Sequence, residues 1–167
     1  MTYRLAVCIL YSVLLTLIAC SPNANVQTKG VDAIQGEWQQ KPEALDKQLV
    51  TYTLYNFKFT CDSFFVAMQT HSRVNYGADT CMNKGKWTEY AKGRYQQTRD
   101  TIWMRGFFCN ADYSLKNPGG CFRSGVYEGF FKAENVADTL LRLTPTSSVL
   151  PLNLHLVKRT NCIPKPL

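Results

Sequence analysis

The sequence is poor in the residues that most enzyme chemistry uses. Its 167 residues include two histidines, His71 and His155, which fall in separate strand-like segments, so no segment offers the paired imidazoles of a metal or acid–base site. No cysteine or histidine pair has the close spacing of a zinc site. A Gly-x-Ser-x-Gly elbow, a His-Glu-x-x-His helix and a phosphate-cradling glycine loop are all missing. Asp62, Glu89, Asp112 and Glu128 are carboxylates that folding can assemble, but nothing in their spacing groups them. These absences favour binding over catalysis. Long hydrophobic runs are absent too. The longest, residues 5–18, holds fourteen residues, and as a helix it reaches about 21 Å against a hydrocarbon core of roughly 30 Å. After residue 35 no stretch sustains helical periodicity apart from a short segment at 41–47.

What is present begins at the N-terminus. Arg4 precedes the apolar run, which has the length of a secretory h-region rather than of a membrane span. The run ends in Leu17-Ile18-Ala19-Cys20, and this tetrapeptide resembles the bacterial lipobox. That resemblance implies that residues 1–19 are a lipoprotein signal peptide. It also implies that Cys20 is acylated and becomes the first residue of the mature protein, so that several acyl chains hold the chain at a membrane. The alternative is an ordinary cleaved signal with a chance cysteine at its end. Ser21, where an aspartate would suggest inner-membrane retention, points to the outer membrane of a bacterial envelope. Residues 20–32 are small, polar and contain Gly and Pro, and read as a flexible tether; residues 33–167 form one domain.

Removing residues 1–19 leaves 148 of the 167 residues, with 18 basic and 12 acidic side chains and a net charge of +6. The cations are scattered rather than banded. An exported chain has no nucleic acid to meet, so that partner class is excluded, while an acidic partner or anionic lipid is compatible. Five cysteines remain for an oxidising compartment: Cys61, Cys81, Cys109, Cys121 and Cys162. At most two bridges form within one molecule, and sequence leaves fifteen arrangements open. The expectation is Cys109–Cys121 across the loop NADYSLKNPGG, with Cys61–Cys81, leaving Cys162 over.

Strand signals are dense. In residues 49–61 one parity collects Tyr55, Phe57, Phe59 and Cys61, and the other Asn56, Lys58 and Thr60. Phe64, Val66 and Met68 alternate with Phe65, Ala67, Gln69 and His71, and the intervening "CDS" is short enough for a hairpin turn. The stretches KGRYQQTRDTIWM and EGFFKAENVADTLLRL echo one another, each with glycine, an aromatic, a polar turn, Asp-Thr and two apolar residues. Turn chemistry accounts for Asp100 and Asp138 without a catalytic role. Leu152, Leu154 and Leu156 alternate in a last strand. The fold class expected is all-β: a single eight- to nine-stranded up-and-down antiparallel barrel, closed so that no sheet edge is exposed.

Gly36 and Trp38 precede the strands and Arg159 closes the last of them. With the strand count, these residues resemble the lipocalin-type barrels of the calycin group, which open on Gly-x-Trp and end on a basic side chain lying across the indole. The resemblance implies a plug at one end of the barrel. Strict alternation from Leu156 would turn Lys158 inward and Arg159 outward, so the match requires a bulge, or lysine in the role of arginine. Over nearly the whole chain, QGEWQQ, TCMNKGKWTEYAKG, FCNADYSLKNPGGCF and VKRTNCIPKPL look like a family of bacterial lipoproteins of unestablished role, some labelled fumarate hydratase. The residues do not carry that activity: the Gly-Ser-Ser-x-Met-Pro-x-Lys-x-Asn loop of metal-independent fumarases is absent, and exported cysteines are poorly suited to an iron–sulfur cluster.

The functional expectation is therefore a lipid-anchored envelope barrel without a cofactor, holding a small apolar or amphipathic molecule among its aromatics. The aromatics instead filling the interior completely is the competing possibility. From a different class comes a protein-binding or inhibitor-type module that uses loop 110–120 and its Tyr113, Leu115 and Lys116 as the contact.

Overall fold

The computed structural model describes residues 26–74 and 80–165; the signal peptide expected at residues 1–19 and the expected lipidation site Cys20 lie outside the described residues. Eight strands follow one another: β1 (Gly36–Gln40), β2 (Thr51–Thr60), β3 (Ser63–Ser72), β4 (Lys86–Thr98), β5 (Thr101–Cys109), β6 (Val126–Ala137), β7 (Leu140–Pro145) and β8 (Leu152–Arg159). Each pairs antiparallel with the next, and β8 returns to β1, giving a closed up-and-down barrel. The only helical pieces among the described residues are three short 3₁₀ segments, one of them, Asp46–Gln48, at the site of the suggested helix.

Alternation decides what fills the barrel. Phe57 and Phe59, Phe64, Val66 and Met68, Ile102 and Met104, and Leu141, Leu143 and Leu154 are all buried, each on the parity that faces inward. "CDS" forms the expected hairpin: Thr60 pairs with Ser63, leaving Cys61 and Asp62 as a two-residue turn. The two echoing segments are likewise two tight hairpins. Thr98 pairs with Thr101 around Arg99 and Asp100, and Ala137 pairs with Leu140 around Asp138 and Thr139.

Odd-numbered gaps between strands lie at one end of the barrel only by virtue of this topology. The β2–β3, β4–β5 and β6–β7 turns, the start of β1 and the end of β8 make the closed end. The β1–β2, β3–β4, β5–β6 and β7–β8 connections make the open end.

At the closed end Gly36, Trp38 and Arg159 lie together. Trp38 is almost fully buried and donates its indole N–H to the Ile34 carbonyl at 2.8 Å. The Arg159 guanidinium lies over the indole, 5.2 Å from its centroid, and donates to the carbonyls of Ala33, at 2.8 Å, and Asp138. A bulge makes this contact. Along β1 and β8, Glu37 pairs with Lys158 but Trp38 pairs with Leu156, so Val157 is unmatched. The extra residue resets the alternation and brings Arg159, not Lys158, opposite Gly36 on the inward face. Gly36 itself has φ +146°, and a Cβ there would stand 2.6 Å from the Lys158 carbonyl oxygen, a conformation and clearance that only glycine meets.

Residues 26–32, read from sequence as tether, are fastened beneath this plug. Thr28 gives its backbone N–H and hydroxyl to Asp62, each at 3.0 Å, and Arg94 pairs with the same carboxylate. Gln35 donates to the Cys61 carbonyl at 2.8 Å and to the Tyr95 hydroxyl at 2.9 Å, and accepts from the Cys61 N–H at 2.7 Å. The Tyr95 hydroxyl also donates to the Cys61 carbonyl and receives the Val31 N–H. Each of these buried polar groups has a partner, which makes their burial affordable.

The disulfides differ from the expected pairs. Cys61 joins Cys162, and Cys81 joins Cys121; Cys109 is a free, buried thiol. Cys61–Cys81 fails because β3 carries the chain from the closed end to the open end between them. Ten extended residues cover about 33 Å, whereas bridged Cα atoms lie within about 7 Å. Cys109 ends β5 beneath the loop that follows, where Leu115 bridges to it, and burial pushes its thiol up despite the opposing charge of Lys92.

Candidate functional site

The two ends of the barrel interior are unlike. The floor is solid, with Trp38, Phe57, Phe59 and Phe131 in ring contact or close burial. Above it the barrel opens into a cavity of about 700 Å³ at the mouth. Its apolar wall comes from Tyr55 of β2, Met68 of β3, Tyr127 and Phe131 of β6, and Leu152 of β8. The rim adds Asp46 and Leu49 from one connection and residues 145–148, 150 and 151 from another. Both possibilities raised by the aromatic load are thus present: rings fill the lower half and line the upper half.

One ion pair stands in this mouth. Glu89 occupies an inward position of β4, on the parity of Ala91 and Tyr95, and is itself buried. Arg123 reaches it from the β5–β6 connection, donating from Nε at 2.9 Å, from Nη2 at 2.8 Å and from its backbone N–H at 3.1 Å. The guanidinium also lies over the Phe108 ring, 4.7 Å from its centroid. Burial alone would push the Glu89 carboxyl up, but the Arg123 hydrogen bonds and charge outweigh it and hold it below the ordinary carboxylate range. Tyr55 and Tyr127 are both pushed above the ordinary tyrosine range, mainly by burial, with Arg123 opposing. Their phenols stay neutral, and neither hydroxyl has a hydrogen-bond partner among the described residues.

Local structure of the connection explains why Arg123 points inward. Asp112 caps a turn by accepting the Ser114 N–H at 2.9 Å, and Asn110 donates to Ser114 and to the Leu115 carbonyl. Tyr113 then folds back onto the barrel wall, edge-on to Phe65 and Tyr90. Cys121 is bridged to Cys81, and Phe122 stacks on Trp87 with centroids 5.3 Å apart. Phe122 has φ +65°, and this left-handed residue turns the chain so that Arg123 enters the mouth. Lys116 donates to the carbonyls of Cys121 and Arg123, closing the loop on itself.

The residues singled out from sequence are distributed as follows. Gly36, Trp38 and Arg159 come together as the plug. Asp62 belongs to the closed end, Glu89 to the mouth, Asp112 to the loop and Glu128 to the outer wall at the rim of the mouth, so the four carboxylates are not assembled. His71 stacks on Tyr52 with centroids 5.0 Å apart, while His155 is exposed on β8. Of the proposed loop contacts, Tyr113 and Lys116 are spent on holding the loop; Leu115, 71 % exposed, projects from it. Among the described residues no group of three His, Cys, Asp or Glu side chains is placed to hold a metal ion. Sequence reasoning overlooked Arg123 and passed over Glu89. The signal for Glu89 was there, as a charged residue on the inward parity of a barrel strand.

Chemically, the mouth provides an apolar well with two neutral phenols, a guanidinium–carboxylate pair, and the carboxylates of Asp46 and Glu128 at its rim. Glu89 is held by three donors and is no free base. Comparison of the chain with protein-family models, with curated proteins and with solved structures finds no match.

Proposed function

We propose that this protein is a lipid-anchored bacterial envelope protein, facing the periplasm or the surface from the outer membrane, that carries a small amphipathic molecule in the mouth of its barrel. The observation that carries the reading is the half-filled interior: a cavity of about 700 Å³ above a packed floor, within the size range of small-molecule sites. The Tyr55, Met68, Tyr127, Phe131 and Leu152 wall suits an apolar body. The two neutral phenol hydroxyls suit a polar head; Arg123 is already engaged by Glu89, and Asp46 and Glu128 at the rim disfavour an anionic one.

Native mass spectrometry of the protein purified gently from a bacterial envelope tests this. A bound small molecule that is lost on denaturation, and lost in Leu152→Trp, is the expected result; a bare mass from every preparation overturns the reading. A contact with an envelope protein is the second reading, favoured by exposed Leu115 at the tip of a loop stapled by Cys81–Cys121. Leu115→Ala probes it without disturbing Tyr113, whose ring holds the loop.

A further inference from the structure

The outer wall of β3 to β6 carries a pattern that neither the plug nor the mouth requires. Cross-strand register sorts its outward residues into three rows. One row runs Phe65, Lys92, Phe107, Val126. The next runs Ser63, Arg94, Arg105, Glu128. The third runs Gln96, Trp103, Phe130. Two aromatic rows therefore flank a cationic one. Phe107 is 52 % exposed and its row neighbour Val126 55 %, while Phe130, 44 % exposed, lies across the charged row, so apolar and basic side chains share one exposed face.

The cationic row is arranged against its own stability. Arg94 and Arg105 are directly opposite on neighbouring strands, where like charges repel. Arg94 is matched by Asp62. Arg105 is opposite Glu128, yet the Glu128 carboxylate accepts the Trp103 indole N–H at 3.1 Å instead. Arg105 makes no hydrogen bond or ion pair among the described residues. A groove of about 600 Å³ runs between these side chains, lined by Phe65, Lys92, Trp103, Arg105 and Phe107 with no carboxylate in its wall.

The occupant is indicated by charge and by where the N-terminal chain arrives. Gln27 lines one edge of the same groove and donates to Ser63 at 2.9 Å. Cys20 stands seven residues earlier, a stretch that spans at most about 25 Å. Whatever holds the N-terminus at a membrane therefore holds this wall close to it. Aromatic rings beside arginine and lysine are the side chains that settle at a lipid headgroup layer.

We propose that the β3–β6 wall docks the barrel side-on to an anionic phospholipid surface, with Trp103, Phe107 and Phe130 among the headgroups and Lys92 and Arg105 on the phosphates. Phe130, stacked on Trp103, also lines the mouth. Side-on docking thus brings the mouth to the leaflet, and a lipid-borne molecule reaches it past Phe130. The docking proposal holds whether or not the mouth carries a ligand.

The test uses the full chain with vesicles of brominated phosphatidylcholine mixed with phosphatidylglycerol, reading tryptophan emission. Trp38 is sealed in the floor and Trp87 lies against Phe122, so quenching by bromine should come from Trp103 and vanish in Trp103→Phe. Arg105→Glu should lower the docked population about tenfold, since each basic side chain near an anionic surface contributes on that order; Phe107→Ser should reduce it too, and Lys158→Glu on the opposite wall should leave it unchanged. Unquenched Trp103 in a vesicle-bound chain overturns the proposal. So does quenching of equal strength on phosphatidylcholine alone that survives Arg105→Glu. Concentration-dependent dimers in sedimentation, abolished by Arg105→Glu, would assign the face to a second copy and overturn it as well.

Discussion

The closed and open ends of this barrel are made from the same eight strands and the same kinds of residue, yet they are organised on opposite rules. At the closed end every polar group that enters the interior is matched: Gln35, Tyr95, Cys61 and Trp38 all have partners, and Arg159 seals the indole from below. At the open end two phenols stand in an unfilled well, and the lone charge pair is only half enclosed, with the Arg123 side chain 57 % exposed. A fully matched, fully packed end is where substitutions cost most. An open, wet end is where the fold tolerates change and where recognition can be built.

That contrast can be broken at several strengths. Trp38→Ala should be the most damaging, destabilising by about 3–5 kcal/mol in denaturant titration because it empties the floor and leaves Arg159 without its platform. Cys162→Ser should follow, at about 2–4 kcal/mol, since Cys61–Cys162 closes a span of 101 residues. The Cys81–Cys121 bridge, spanning 40, should cost less on removal, because its loss frees the mouth loop while the barrel stays closed. Leu154→Ala in the floor should cost about 3 kcal/mol and Leu152→Ala at the mouth about 1 kcal/mol, as water can enter the second void and not the first. Equal losses from the two leucines would abolish the distinction between the ends.

Acid should act on both ends with the same sign. The Asp62 carboxyl is raised by burial but lowered more by Thr28 and Arg94, and Glu89 is likewise held low by Arg123. Each folded pKa is below its unfolded value, so each contributes stability that is present above about pH 4 and is lost as pH falls through the folded pKa. Melting curves from pH 6 to pH 2 should show this loss, reduced at its closed-end share by Asp62→Asn and at its mouth share by Glu89→Gln. Glu89→Gln itself should cost about 1 kcal/mol at neutral pH, limited by the solvent around Arg123. Leu115→Ala should change stability by less than about 0.5 kcal/mol, so any effect it has on a partner reports contact rather than folding.

The fold was legible because barrel strands advertise themselves with a period of two. Phe57 and Phe59, Phe64 and Val66, and Leu152 and Leu154 announce both strand and inward face, and short turns such as Cys61-Asp62 announce up-and-down order. Gly36, Trp38 and Arg159 were named from sequence, but whether a bulge or Lys158 would serve stays open there, and the unmatched Val157 is what delivers Arg159 to the indole. The mouth was barely legible. Arg123 lies in a connection without periodicity, and the left-handed turn at Phe122 that aims it has no glycine to mark it. The disulfides were misread because closeness in sequence was taken for closeness in space.

By itself, then, the sequence narrowed the barrel to eight or nine strands and set the inward side chains, since these follow from local alternation and turn chemistry. Tertiary structure alone decided which cysteines meet, which of Lys158 and Arg159 covers Trp38, where the interior stops being filled and which outward residues align as a face. Those are relations between strands. They depend on register and on loop geometry, and a chain read one residue after another holds no direct record of either.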